Sequence, residues 1–368
     1  MSAEVRVERR GPLGLLILDA PQRLNALSPG MCEIVGDALG RWSRDEEVKT
    51  VVIRSAGGRA FCAGGDVRSV AELRKAGRVE EAMRFFATEY RMNWRIFRFS
   101  KPYVALLDGV TMGGGFGISA HGRYRVATEK VLFAMPETGI GFYPDVGATY
   151  VLPRLPGEAG TWLGLTGARI GWEDMLGLGL ATHTVRSDRL EALETALAQA
   201  DYSEGEEEEA VERVLESFHQ PPETPAPAVE RRHEIDEIFA GDSVEEILKR
   251  LSAAPQDWAR EALAAMERAA PLSLRVTLQQ MREGASLDFD AAMRREFRLT
   301  WRMLEGQTFL EGVRALLIDK DKSPKWEPPT LAGATPQMAA ALAAPLGPGK
   351  ELPLDWADPT ASWPEVLG

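Results

Sequence analysis

Two glycine-rich loops and two spaced carboxylates are the residues of this chain best suited to chemistry. The first loop is Phe61-Cys62-Ala63-Gly64-Gly65-Asp66 and the second is Thr111-Met112-Gly113-Gly114-Gly115-Phe116-Gly117. Behind them runs Pro136-Glu137-Thr138-Gly139-Ile140-Gly141-Phe142-Tyr143-Pro144-Asp145. Glycines let a substrate carbonyl come close to the main chain. Two backbone N–H groups from separate loops can then hold one developing oxyanion. Glu137 and Asp145, eight residues apart across a Gly/Pro loop, can supply an acid, a base or a nucleophile. The combination points to acyl chemistry through an enolate or a tetrahedral intermediate. On spacing alone, Glu137 reads equally well as a loop residue capping a helix or pairing with a cation. Asp145 also reads as an N-cap ahead of Val146-Gly147-Ala148, and Asp66 as a helix N-cap. The triple glycine also suits tight helix packing.

The flanking patterns say what must position these residues. Residues 4–9 alternate, Gly11-Pro12 interrupts, and residues 13–18 are apolar, a hairpin signal. Residues 29–42 and 80–99 have helical spacing. Val51-Val52-Ile53 leads into the first glycine loop and residues 103–107 into the second, with short strands expected over 124–127 and 131–134. Strand, glycine loop and helix thus occur twice, a weak internal repeat that suits stacked β-β-α turns. Neither loop gives GxGxxG with an acidic residue about 20 positions on, and no Walker A lysine follows. From about Ser187 the spacing is helical throughout, with helices expected over 243–252, 255–270, 272–284 and 288–304. Asp242-Ser243 and Asp288 are candidate N-caps, and Pro255 and Pro271 suit helix starts. The acidic run 204–209 reads as a solvated helix start, and the Pro/Ala-rich tail beyond Lys325 as loosely attached.

Length and composition narrow the function classes. At 368 residues with 45% hydrophobic and 27% charged residues, the chain reads as a soluble globular protein of roughly two domains. Its net charge of −12 argues against non-specific nucleic-acid binding. No apolar run reaches the roughly 20 residues of a membrane helix. Residues 1–10 lack a signal-peptide core and read as a cytoplasmic start. The two cysteines, Cys32 and Cys62, and the four histidines, among them His121, show no metal-ligand spacing. Cys62 reads as a small buried residue and His121 as a packing or helix-end residue.

With these residues in view, the chain resembles the crotonase (enoyl-CoA hydratase/isomerase) superfamily, closest to its thioester-hydrolase subgroup. The likeness runs from Val5 to Pro328. It is carried by Arg23-Leu24-Asn25-Ala26-Leu27, the two glycine loops, Ala127-Thr128-Glu129-Lys130, Phe133-Ala134-Met135-Pro136-Glu137-Thr138 and Pro144-Asp145-Val146-Gly147. Pro271-Leu272-Ser273-Leu274, Glu311-Gly312-Val313-Arg314-Ala315 and residues 319–326 carry the subgroup. The resemblance implies an α/β fold, a spiral of stacked β-β-α units with a helical C-terminal region. It implies a core over 1–186, helices over 187–328 and a tail over 329–368. By the same likeness Gly65 and Gly114 form an oxyanion hole, Glu137 and Asp145 are catalytic, and Glu89 contacts substrate. Glu89 reads equally as a solvent-facing or structural residue of a long helix. Hydratases of this superfamily carry a first catalytic glutamate three positions after the middle glycine, where this chain has Gly117. The implied substrate is a 3-hydroxyacyl-CoA ester, first 3-hydroxyisobutyryl-CoA of valine breakdown. No cofactor or metal is implied, and a homo-oligomer is. An enoyl-CoA isomerase and a non-catalytic acyl-CoA-binding protein are the alternatives.

Overall fold

The computed structural model describes residues 4–203, 206–347 and 349–354. Its strands fall into two sheets because each repeat contributes one strand to each. β1 (Val5–Arg10) and β2 (Leu13–Leu18) form the expected antiparallel hairpin, with Val5 opposite Leu18. α1 (Pro29–Trp42) follows, capped by Ser28. Next come β3 (Thr50–Ser55), β4 (Ala60–Cys62), α2 (Val67–Lys75) and α3 (Val79–Phe97). The second turn is β5 (Tyr103–Leu107), β6 (Val110–Met112) and α4 (Gly114–Ala120). The third begins with β7 (Tyr124–Ala127) and β8 (Leu132–Ala134). The larger sheet has the order β1-β2-β3-β5-β7-β9, with β9 at His183–Thr184, and the smaller has β4-β6-β8.

The larger sheet is parallel beyond its hairpin, and its central strands β2, β3 and β5 are apolar on both faces because both are covered. Leu16, Leu18, Val51, Ile53, Tyr103 and Ala105 face the main core. Leu15, Ile17, Val52, Val104 and Val126 face a second cluster closed by Leu193, Leu197, Val211 and Leu215. Those four lie on α8 (Leu190–Gln199) and α9 (Glu207–Phe218). Between β8 and α8 run three helices, α5 (Ala148–Val151), α6 (Ala159–Thr166) and α7 (Trp172–Gly177). The remaining helices are α10 (Pro227–Glu230), α11 (Arg232–Phe239), α12 (Val244–Ala253), α13 (Asp257–Arg268), α14 (Pro271–Gly284), α15 (Phe289–Glu305), α16 (Thr308–Val313) and α17 (Pro336–Leu342). Buried side chains of these helices, such as Leu274, Phe289 and Phe297, join the same core as the first strands.

The expected caps are present. Asp66, Ser243 and Asp288 accept from the N–H groups of Ser69, Glu246 and Ala291. The acidic run starts α9 at Glu207, and residues 204–205 lie outside the described residues. The tail differs from the loose attachment expected of it. Leu346, Leu352 and Leu354 are buried, Arg298 pairs with Glu351 at 2.9 Å, and Arg302 donates to the carbonyls of Leu342 and Pro345. Residues 355–368 lie outside the described residues. No helix among the described residues is long and apolar enough to cross a membrane.

Candidate active site

The small sheet aims three loops at one place. Cys62 pairs with Thr111, and Met112 with Ala134, so β4, β6 and β8 end side by side. Both glycine loops and the Pro136-Glu137 segment depart from those carboxyl ends, the side of a parallel sheet where ligands gather. Gly64 takes φ +117° and Gly113 φ +48°, which L side chains rarely adopt. Leu27 bridges the first loop, donating to Gly64 O and accepting from Asp66 N. A parallel bridge of that register turns the Gly65 N–H away from Leu27. Gly114 is the first residue of α4, where N–H groups have no partner inside the helix. Among the described residues neither N–H donates a hydrogen bond.

α3 crosses beneath these loops with nearly every residue of its middle buried. Its Glu89 is 2% exposed, so the solvent-facing reading does not hold. Glu89 Oε1 lies 2.6 Å from where a Cβ on Gly114 would stand and 3.8 Å from one on Gly65. A Cβ on Gly65 would also meet the Phe85 ring at 2.9 Å. A side chain at either position would therefore have to displace Glu89 or Phe85. Gly115 serves packing, since a Cβ there would sit 2.2 Å from Cys62 O.

Glu137 opens a 3-10 turn at Glu137–Ile140 and is buried, with Oε1 3.1 Å from a Cβ placed on Gly113. Its Oε2 has no hydrogen-bond partner among the described residues, so it neither caps a helix nor pairs with a cation. Asp145 Oδ2 accepts from Tyr90 OH at 2.6 Å, and that hydroxyl also meets Thr300 Oγ1 at 2.7 Å. The Asp145 side chain therefore does not cap α5; only its carbonyl receives Ala148 N–H. Burial pushes the Asp145 carboxyl up to about 7, against the Tyr90 hydrogen bond. Burial and then the Asp145 charge raise Glu137, and burial, Asp145 and Glu296 raise Glu89. Buried carboxylates whose charges act on one another in this way share protons and do not ionise independently.

Several partners were not legible as site residues. Glu296 of α15 is fully buried and accepts from Gly147 N at 2.7 Å and Thr149 N at 2.9 Å. Burial and the Asp145 charge push it to about 8, against those two bonds. Tyr143 OH donates to Glu296 O and meets Thr300 Oγ1. His121 Nε2 donates to Val146 O at 2.7 Å, and burial lowers its pKa to about 4, so the neutral ring braces the strand of chain after Asp145. A signal for Glu296 was available: it shares the apolar stripe of α15 with Phe289, Ala292, Met293 and Thr300. Asn93, one turn beyond Glu89 on α3, is buried against Gly117. Cys62 is buried, its thiol pushed up to about 12 by burial, which suits packing and not attack. Away from the loops, His183 comes within 3.5 Å of Glu216 and 3.8 Å of Glu212, a juxtaposition that spacing in the chain did not reveal.

A family model described as enoyl-CoA hydratase/isomerase matches residues 13–342. The chain belongs to the enoyl-CoA hydratase/isomerase family. It is 44% identical over 337 residues to a protein of Danio rerio named 3-hydroxyisobutyryl-CoA hydrolase, mitochondrial, covering 91% of this chain and 88% of that one. A solved carnitinyl-CoA dehydratase from Mycobacterium thermoresistibile superposes with TM-score 0.87 at 38% identity, over 96% of this chain and 100% of that one. An enoyl-CoA hydratase structure from Rhodobacter sphaeroides gives TM-score 0.86 at 39% identity, over 95% and 99%. The two sheets and three converging loops are thus a crotonase fold, and the helical C-terminal region belongs to the matched span.

Proposed function

We propose that this chain hydrolyses a short 3-hydroxyacyl-CoA thioester, first 3-hydroxyisobutyryl-CoA, to the 3-hydroxy acid and free CoA, in valine degradation. The observation that carries this reading is Glu137: a buried carboxylate with an unbonded oxygen, set against the triple glycine beside two unengaged N–H groups. The curated relative of Danio rerio, matched nearly end to end, bears the corresponding name.

In this reading Gly65 and Gly114 N–H hold the thioester oxygen as it gains charge, each lowering the barrier by about 3 kcal/mol. Two routes fit. In one, Glu137 first passes to Asp145 the proton that burial favours on it; ionised Glu137 then attacks the carbonyl carbon, the C–S bond breaks, and protonated Asp145 gives its proton to the leaving thiolate. Ionised Asp145 then takes a proton from water, whose oxygen opens the mixed anhydride and frees Glu137. In the other, Glu137 takes a proton from water as the water oxygen attacks the carbonyl carbon; the C–S bond then breaks, and Glu137 returns the proton to the leaving thiolate. One shared proton closes the first cycle, which suits an Asp145 held near about 7.

A second reading, addition or removal of water, is favoured by the names of the two solved structures, and double-bond migration by the family's description. The site has more carboxylates than the loops alone imply, since Glu89 and Glu296 join Glu137 and Asp145. Position 117 nonetheless holds no carboxylate. Thiol release by the wild-type protein and by Glu137→Gln tests the hydrolase reading. The variant is expected to keep binding the ester and to lose more than about nine-tenths of turnover, a barrier rise above about 1.4 kcal/mol. A folded variant with near-normal thiol release would remove Glu137 from the mechanism.

A further inference from the structure

Asn93 is fully buried, and neither Nδ2 nor Oδ1 has a hydrogen-bond partner among the described residues. A native buried amide in that state needs a reason, because water or a ligand normally satisfies it. Its surroundings supply one. Glu89 and Asn93 are four apart on α3 and share a face, and Glu89 marks the oxyanion glycines. A Cβ on Gly117 would lie 3.0 Å from both amide atoms of Asn93 and 2.7 Å from Val146 Cβ, next to Asp145. The amide therefore stands where a side chain at position 117 would pass, between the start of α4 and the Asp145 segment.

We propose that Asn93 contacts the substrate and determines specificity, its carboxamide hydrogen-bonding the hydroxyl on C3 of the acyl group. This rests on the hydrolase reading of the site. A carboxamide both donates and accepts, as a hydroxyl does. Gly114 and Gly117 are three residues apart on α4, about 4.5 Å of helix rise. A C3 hydroxyl lies two C–C bonds of about 1.5 Å and one C–O bond from the thioester carbon, a comparable reach. A site whose polar groups are completed by a substrate hydroxyl rejects the analogue that lacks it.

The test compares kcat/KM for thiol release from 3-hydroxyisobutyryl-CoA and isobutyryl-CoA in the wild type, Asn93→Leu and Asn93→Ala, each checked by thermal melting. The wild type is expected to prefer the hydroxy ester by at least about a hundredfold. Either folded variant is expected to lose more on the hydroxy ester, lowering the ratio by at least about tenfold. Equal losses on both esters would assign Asn93 to the hydrolytic water or to packing and overturn the proposal. A wild type without preference overturns it too, whether or not the variants fold. If the wild type turns over neither ester, the hydrolase reading fails separately. Calorimetric Kd values then decide for Asn93: tighter binding of the hydroxy ester, lost in the variants, supports it, and equal affinities contradict it.

Discussion

Asp145 owes its position to contacts that lie far from it in the chain. Tyr90 donates to it from 55 residues upstream, and Thr300 holds Tyr90 from 210 residues beyond that tyrosine. Burial places its carboxyl near about 7, where it can both give and take a proton at neutral pH. Asp145→Asn keeps the shape and removes the proton. Turnover on 3-hydroxyisobutyryl-CoA is expected to fall at least about tenfold, with KM moving less than about threefold. The wild-type rate is expected to decline as pH rises through about 7, as Asp145 loses its proton, and the variant's residual rate to lack that decline. Steady-state kinetics across pH checks both. An effect confined to KM would make Asp145 a binding residue.

At the scale of elements, the segment after Asp145 is held in an unusual backbone. Val146 has φ +55° and Gly147 φ +88°, and Glu296 on α15 receives the N–H groups of Gly147 and Thr149. Glu296→Ala leaves both donors buried and unpaired, an expected loss of about 2–4 kcal/mol in unfolding free energy. Glu296→Gln separates charge from shape. Burial and Asp145 place the Glu296 carboxyl near about 8 in the folded protein, against about 4.3 in an unfolded chain. The folded state therefore binds the proton more tightly. Its contribution is fully present below about pH 4 and is lost as pH rises through about 8. Melting temperatures between about pH 5 and about pH 9 are expected to fall less steeply in the variant. Identical slopes would show that Glu296 does not carry this proton.

Elements were the most legible part of the sequence. α1 at Pro29–Trp42, β2 at Leu13–Leu18 and β7 at Tyr124–Ala127 have the expected bounds, because periodicity and the Pro and Gly residues around them act locally. Gly65, Gly114 and Glu137 could be named because loop motifs carry them, and Glu89 through the family resemblance alone; the structure brings the four together. The division of the strands into two sheets, and the Tyr90–Asp145–Thr300 contact, follow from packing between distant segments, which a local pattern does not encode. Asn93 carries no local signal in the sequence; its burial within α3 sets it apart.

At the scale of the whole molecule, the C-terminal helices complete the site and are no mere appendage. α15 supplies Glu296 and Thr300, α14 sends Gln280 Nε2 to Pro144 O at 3.4 Å, and the tail is tied back through Arg298 and Arg302. The same helices fall within the span matched by the family model. The central claim is that this arrangement cleaves thioesters and does not add water to double bonds. Position 117 is the reason: it has no carboxylate, and Val146 and Asn93 occupy the space a side chain there would need. The direct test follows free thiol from 3-hydroxyisobutyryl-CoA and loss of enoyl absorbance from crotonyl-CoA on one enzyme preparation. Thiol release is expected to exceed hydration by at least about a hundredfold, some 2.7 kcal/mol of transition-state discrimination. Hydration at a comparable rate, or hydration without thiol release, would contradict the account.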